Sequence, residues 1–457
     1  MPKTIPDIRR DVAVAAEVDV LVCGGGPAGF CAAIAAGRMG AEVLLVEQTN
    51  CLGGIATAGG HGHICLFTEW GTDVRVVGGV PYEMADRVVE AGFGDFKGGG
   101  SEVDFQIDGM KLVLEQMARE AGVRLLYHTL FADALVEGGR CAGAFIQNKS
   151  GRQAVLANRV IDATGDADVA ASAGCRYEVG RPGDGACQPA TLMFTLGGVD
   201  WEKVRRWRTS YQMKDVWAAA QAAGDMEPFQ SVIMGWWWTP TRPDQVGQNF
   251  THLVGTDATS AESITKATIE GRRQAFHMIP VFRKYVPGME NCYLVSTAAL
   301  LGTRESRRIV ADVVLSEQDI MGRRPWDDAV CYGSFYVDIH SCTGPGMDAE
   351  TWYPPKGFRY GIPYRVMLPQ GMDNLLVAGR CIGATHKALG STRVMPQCGA
   401  LGQAAGAAAV LSIRANCAPR TLGAPALQDE LRRQGAIFDE AGIVAANQKG
   451  KQATPRE

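Results

Sequence analysis

Five side chains in this 457-residue chain are of the types that move protons and grip anions: His61, His63, His386, Arg304 and Arg393. An imidazole exchanges a proton near neutral pH. A guanidinium clamps a carboxylate through two parallel hydrogen bonds, or steadies an enolate-like charge. Each has a plainer alternative. Arg304 stands beside Glu305 and can pair with it, and His386 can serve only as a hydrogen-bonding group for backbone or ligand. In an extended segment His61 and His63 point the same way, but no third and fourth ligand follows at metal spacing, so no metal site is expected. Trp236-Trp237-Trp238 adds an aromatic element. Alternation sends Trp237 to one face and its neighbours to the other, where such rings line a pocket for a planar or sugar-like molecule or fill a core. Cys51 and Cys65 read as packing thiols, since no partner thiol is spaced for exchange.

The scaffold that must position these groups begins at residues 18–47. Residues 18–23 are a short β-branched run suited to one buried strand. Gly24-Gly25-Gly26-Pro27-Ala28-Gly29 follows and fits G-x-G-x-x-G; small residues continue to Met39, Gly40 breaks the helix, and 41–46 form a second strand ending on Glu47. In that unit Gly24 makes the turn, Gly26 lets backbone N–H groups approach a pyrophosphate, and Gly29 lets helix meet strand. The helix N-terminus favours phosphate, and Glu47 is placed to accept ribose hydroxyls. A second glycine-rich loop, 48–60, comes next with Gly53 and Gly54. A flavin-binding domain runs such a loop along the diphosphate and the isoalloxazine, whereas NAD sites have no general need of it. FAD is therefore the expected dinucleotide.

Further along, a helix is expected over 104–121, a strand over 123–127, and a β-meander over 131–136, 141–147 and 153–156. A strand at 159–163 runs into Thr164-Gly165-Asp166, where an open α/β sheet presents its ligand. Residues 176–360 lose the βαβ rhythm and carry eight of the nine tryptophans, which marks them as a substrate domain. Helices are expected there at 201–223 and 260–285, and strands at 295–300 and 334–339. The sheet returns at 374–378 with Gly379-Arg380, and a loop at 391–399 leads into a helix over 400–414. The fold expected is α/β: a Rossmann-like dinucleotide domain, with a central parallel sheet and β-meander, interrupted by an α+β substrate domain. Its boundaries are 1–175, 176–360 and 361–440, with 441–457 a polar tail that reads as disordered from 445.

The totals narrow the partners. Net charge is −4 and no Lys/Arg block occurs, which argues against nucleic acid. No 18-residue apolar run is present, so no membrane span is expected, and no secretory leader is visible. Thirteen scattered cysteines without C-x-x-C argue against a disulfide framework, an iron–sulfur site or a redox dithiol, and point to a reducing cytoplasm.

Taken in order, GGGPAG, Glu47, the CLGG loop, DATGD and NLLVAGR…GQAAG resemble the FAD-dependent oxidoreductases of the two-domain glutathione-reductase-like superfamily, above all the fumarate-reductase-flavoprotein branch. LGTRESRRI at 301–309 is similar to a motif of a narrower group described simply as FAD-dependent oxidoreductases. The resemblance covers residues 18–175 and 295–414. It implies that Gly24, Gly26, Pro27, Ala28 and Gly29 meet the pyrophosphate, Glu47 and Gln48 the adenosine ribose, and Gly53 and Gly54 the diphosphate. It further implies Phe131 at the adenine, Thr164, Gly165 and Asp166 along the cofactor, Gly379 and Arg380 by the ribityl chain, and Gly402 and Gln403 at the flavin pyrimidine edge. Arg380 departs from the Gly-Asp of many relatives. Some relatives attach FAD through a histidine, which makes His61 or His63 an alternative covalent donor.

Flavin supplies hydride chemistry, and the protein orients substrate and manages one proton. The expected activity is hydride transfer from a C–H bond of a small organic substrate to flavin, as a dehydrogenase or oxidase. The alternatives are reduction of an activated C=C bond with Arg304 or Arg393 as proton donor or carboxylate clamp, an electron-relay subunit of a complex, and a non-redox hydratase or isomerase. Only one strand–GxGxxG–helix–acid unit is present, so the second electron partner is oxygen, a quinone, a protein or another small molecule. The large aromatic segments suggest a homodimer.

Overall fold

The computed structural model describes residues 11–207, 210–229 and 235–449. Its first strand, Ala13–Cys23, starts earlier than the apolar run alone indicates, because Ala13 to Val18 pair with the strand Gly151–Asp162. Six further strands continue the sheet. Val43–Val46 lies parallel to the first strand and Arg124–Leu126 parallel to that, while Gly151–Asp162 lies on the first strand's other side. The 12-residue strand Gly151–Asp162 does two jobs along its second edge. Its first half pairs antiparallel with Arg140–Asn148, which pairs in turn with Leu130–Glu137 as the expected meander. Its last residues pair parallel with Leu375–Val377, so the C-terminal segment completes the sheet begun at the N-terminus.

One helix contact locks that return. Met395–Arg414 crosses Pro27–Arg38, and both are almost wholly buried. A Cβ on Gly402 would lie 2.0 Å from the Ala28 carbonyl oxygen, and one on Gly406 would lie 2.1 Å from that of Ala32. Real side chains cannot occupy those positions, so the glycine spacing sets how closely the helices approach.

The intervening region builds a four-stranded antiparallel sheet in the order Gly235–Thr239, Arg242–Asn249, Phe194–Gly197, Tyr293–Thr297. One face packs Trp236, Val246 and Phe194 against Phe282 and Met278 of the helix Ala261–Tyr285. That helix begins where expected, with the Ser260 side chain accepting from the Ser263 N–H.

Several elements differ from expectation. The helix proposed from 104 starts at Ile107, capped by Gln106; residues 102–105 are a strand, and the Asp104 side chain is claimed by His63 and Lys97. Of the helix expected over 201–223, the described residues form Trp201–Trp207 and Ser210–Ala222, with 208 and 209 outside the described residues. Residues 334–339 are not a strand: pairing ends at Gly333, and Val337 makes only an isolated bridge to Trp352. Glu440–Lys449 is a helix that buries Ile443 in the core, so the polar reading of 445–449 missed local order; the rest of that tail lies outside the described residues. All 13 cysteines are free, and no helix among the described residues is long and apolar enough to cross a membrane.

Candidate active site

The turn after the first strand is shaped by backbone. Gly24 has φ +99°, and a Cβ there would lie 2.5 Å from the Ala163 carbonyl oxygen; one on Gly29 would lie 1.8 Å from that of Gly24. Gly26 differs. Its φ is −65°, and a Cβ there would meet nothing within 4 Å, so this glycine borders open space. The helix that follows has no side-chain cap, which leaves first-turn N–H groups free for an anion. Pro27 opens that helix and Ala28 is buried behind it.

The surrounding loops close on this turn. Gly53 donates to the Gly25 carbonyl at 2.8 Å, and Gly54 lies against Gly26, where a Cβ would be 2.9 Å from its Cα. Glu47 is buried; its Oε2 accepts from the Gly25 N–H at 2.6 Å and its Oε1 from Thr49 at 2.8 Å. Each carboxylate oxygen keeps a lone pair for a hydroxyl. Gln48 is exposed, while Phe131 is the second residue of the meander strand Leu130–Glu137, which follows Thr129, whose N–H donates to the Glu47 carbonyl. Thr164 is held by Asp162, and Gly165 (φ +81°) lies against the Arg380 guanidinium. Arg380 pairs with Asp166 at 2.8 Å and donates to Ser306, so its charge already has an acid partner. Gly379 sits 3.0 Å, measured from a Cβ built on it, from the Ala28 side chain. These residues fit a dinucleotide: an open face at Gly26, free amides behind it and an acid beside it.

Gly402 and Gln403 do not belong to this rim. Gly402 faces Ala28 across the helix crossing, and Gln403, with no exposed surface, accepts from the Val80 N–H and donates to Gln434. In this structure the contacts of both are made within the protein.

The five acid–base candidates separate into three groups. His61, Arg304 and Arg393 converge. Burial, His63 and Arg304 push His61 down to about 3, and its ring packs edge-on to Trp237 at 4.7 Å. Arg304 is 7% exposed and donates to the Pro189 carbonyl at 2.7 Å and to Asn249 at 3.4 Å; burial and Arg393 push it down to about 9. Arg393 bonds Asp338 Oδ2 at 2.9 Å, while its Nε is buried without a partner. His63 turns away: its Nδ1 lies 2.6 Å from Asp104, which also pairs with Lys97. His386 is buried in an adjoining cluster, with Nδ1 2.9 Å from Glu305, the acid that also takes Arg308 and the Gln188 N–H.

Sequence reasoning passed over the groups behind the arginines. Asp338 and His340 face each other at 3.4 Å, and the His252 ring lies 6.1 Å from that of His340. Burial and Arg304 push His340 down to about 3 and His252 to about 4. Burial works to raise Asp338, but His340, Arg393 and Arg304 outweigh it and hold it well below the usual carboxylate range. Gln188 links the clusters, its Oε1 accepting from Arg393 and from the His340 N–H. The D-x-H spacing at 338–340 was the available signal, masked by a segment that reads as strand.

Three comparisons bear on this arrangement. The family model described as "FAD dependent oxidoreductase" matches residues 19–431. A thiamine thiazole synthase of Aeropyrum pernix is 35% identical over 132 residues, which is 28% of this chain and 43% of that protein; the match thus spans less than half of the relative's length. Among solved structures, a geranylgeranyl bacteriochlorophyll reductase-like protein of Thermoplasma acidophilum aligns over 94% of this chain and 87% of its own, at 14% identity and TM-score 0.45. The myxobacterial chondrochloren halogenase CndH aligns over 92% and 79%, at 14% identity and TM-score 0.43. The family model spans nearly the whole chain and the cradle fits its cofactor: the chain belongs to the FAD-dependent oxidoreductase family and is an FAD-dependent enzyme.

Proposed function

We propose that this enzyme oxidises a small carboxylate-bearing substrate at a C–H bond next to oxygen or nitrogen. The observation that carries the reading is Arg304, a buried guanidinium whose hydrogen-bond acceptors among the described residues are a neutral carbonyl and a neutral amide. A buried charge without a directly bonded counter-ion is costly; the nearby Asp338 is bonded to Arg393, and a substrate carboxylate supplies Arg304 with a direct partner. Arg393 completes the clamp, held in place by Asp338.

The pyrophosphate of FAD would lie at Gly24, Gly26 and Gly29, the ribose at Glu47, and the remaining contacts along Gly53, Gly54, Phe131, Thr164, Gly165, Asp166, Gly379 and Arg380. When bound, FAD supplies the two-electron acceptor. His61 takes the proton released from the substrate's O–H or N–H at a ring nitrogen. In the free site the Arg304 charge helps keep this imidazole neutral. A carboxylate on Arg304 offsets that charge and lifts His61 toward its ordinary value, so binding the substrate prepares the base. His386 and Glu305 act behind the site, fixing Gln188 and through it Arg393.

A second reading is favoured by Arg304 itself. Pushed down to about 9, it is a better acid than an ordinary guanidinium, as reduction of an activated C=C bond requires. The motifs at 24–29, 162–166 and 374–380 support placement in the fumarate-reductase-like branch. Thirteen free thiols support a reducing, cytoplasmic setting. Anaerobic mixing tests the readings: 2-hydroxy or 2-amino carboxylates should bleach the flavin's visible absorbance. Bleaching by none of them, with reoxidation of reduced enzyme by unsaturated carboxylates, would favour the second.

A further inference from the structure

We infer that the Tyr336 hydroxyl is a third donor to the substrate carboxylate, beside Arg304 and Arg393. The inference rests on the carboxylate clamp proposed above and adds a residue to it. Tyr336 stands on the segment that carries Asp338 and His340. Isolated bridges from Val337 to Trp352 and from His340 to Met347 hold that segment against its neighbour, and Val337 and Ile339 are buried in the main core. Alternation then sends Tyr336, Asp338 and His340 to the opposite side. That is the side on which Asp338 meets His340 and binds Arg393.

Aromatic neighbours hold the ring. Tyr353, across the Val337–Trp352 bridge, stacks on it with centroids 4.8 Å apart and planes 20° apart. Trp70 meets it edge-on at 5.4 Å, and Phe335 lies at 4.4 Å. These contacts fix the ring and leave its oxygen free: the hydroxyl has no hydrogen-bond partner among the described residues. A donor aimed in advance loses little freedom when it meets a ligand.

The surroundings decide which species the phenol presents. Burial, Asp338, Tyr353 and Cys65 push it above its ordinary value, against Arg393, so the group stays an O–H at neutral pH. It therefore cannot be the anion that Arg304 lacks, although its site is close enough to act on that guanidinium. Cys65 ends the strand His63–Cys65, which continues from His61, so the hydroxyl lies near both the arginines and the strand that follows the proposed base. Two cations draw a carboxylate to that place, and a free O–H beside them takes one of its lone pairs. Such charge-assisted bonds are roughly twice as strong as neutral ones.

Titration of the purified FAD-loaded enzyme with propionate, pyruvate and propionamide, followed by perturbation of the flavin spectrum, tests this. None of the three has a 2-hydroxy or 2-amino group to oxidise, so binding is read without turnover. Tyr336→Phe should weaken propionate and pyruvate about tenfold and propionamide less than about threefold. It should leave the melting temperature of the holoenzyme unchanged, because the oxygen it removes bonds nothing in the protein. Wild-type affinity for both carboxylates in Tyr336→Phe, while Arg304→Gln loses them, would overturn the inference and leave the clamp standing. Equal losses for propionate and propionamide, or a lowered melting temperature in place of weaker binding, would overturn it as well. Failure of the wild type to bind either carboxylate would take down the clamp and this inference with it.

Discussion

Arg304 sets both the charge and the proton inventory of the redox centre, because it lies beside three neutral imidazoles while the one carboxylate near it, Asp338, is bonded directly to Arg393. Arg304→Gln should weaken binding of small carboxylates about ten- to hundredfold, the cost of losing charge-assisted hydrogen bonds, as followed by perturbation of the flavin spectrum. The same change removes a cation that depresses His61, so the imidazole pKa should rise when tracked by proton NMR. In the wild type, a carboxylate ligand should be taken up together with protons below neutral pH. Calorimetry in buffers of different ionisation enthalpy measures that uptake, and ligand binding without proton exchange would contradict the role given to His61. At this scale residue type alone singled out Arg304, Arg393 and His61, which the structure brings together. Asp338, His340 and His252 were not singled out, since their meaning comes from burial beside two arginines from distant segments.

Between elements, backbone contact decides more than side-chain identity. The crossing of Pro27–Arg38 and Met395–Arg414 is set at Gly402 and Gly406, where a Cβ would strike a carbonyl oxygen. Gly402→Ala should destabilise by about 1–3 kcal/mol, as overpacking does, and thermal unfolding monitored by circular dichroism gives the value. Parts of the fold read well where the signal was local: strand, glycine turn, small-residue helix, second strand and acid follow one another within 30 residues. The meander read well for the same reason, through strands that follow one another closely in sequence. Asp104 was misassigned to a helix because its partners, His63 and Lys97, lie on other strands. Gly402 and Gln403 were assigned to a ligand because a glycine-rich helix reads alike whether it faces cofactor or another helix.

Over the whole molecule, burial of histidines makes stability depend on pH. His61, His252 and His340 have folded pKa values near 3, 4 and 3, against an ordinary 6.5. The unfolded chain therefore binds more protons below about pH 6.5, and the folded state loses stability as pH falls from there toward 4. The melting temperature should drop over that range, and His252→Gln should flatten the slope. The sequence shows such histidines one at a time, whereas their convergence depends on the substrate region folding back over the sheet. The central claim is that one groove, opened at Gly26 and closed by segments from both ends of the chain, holds FAD. The direct measurement is FAD binding by Gly26→Val, at a position where the fold itself leaves a side chain room. The account predicts a folded protein with near-wild-type melting of the apo form and a large loss of FAD affinity. Undiminished FAD binding by that variant would contradict it.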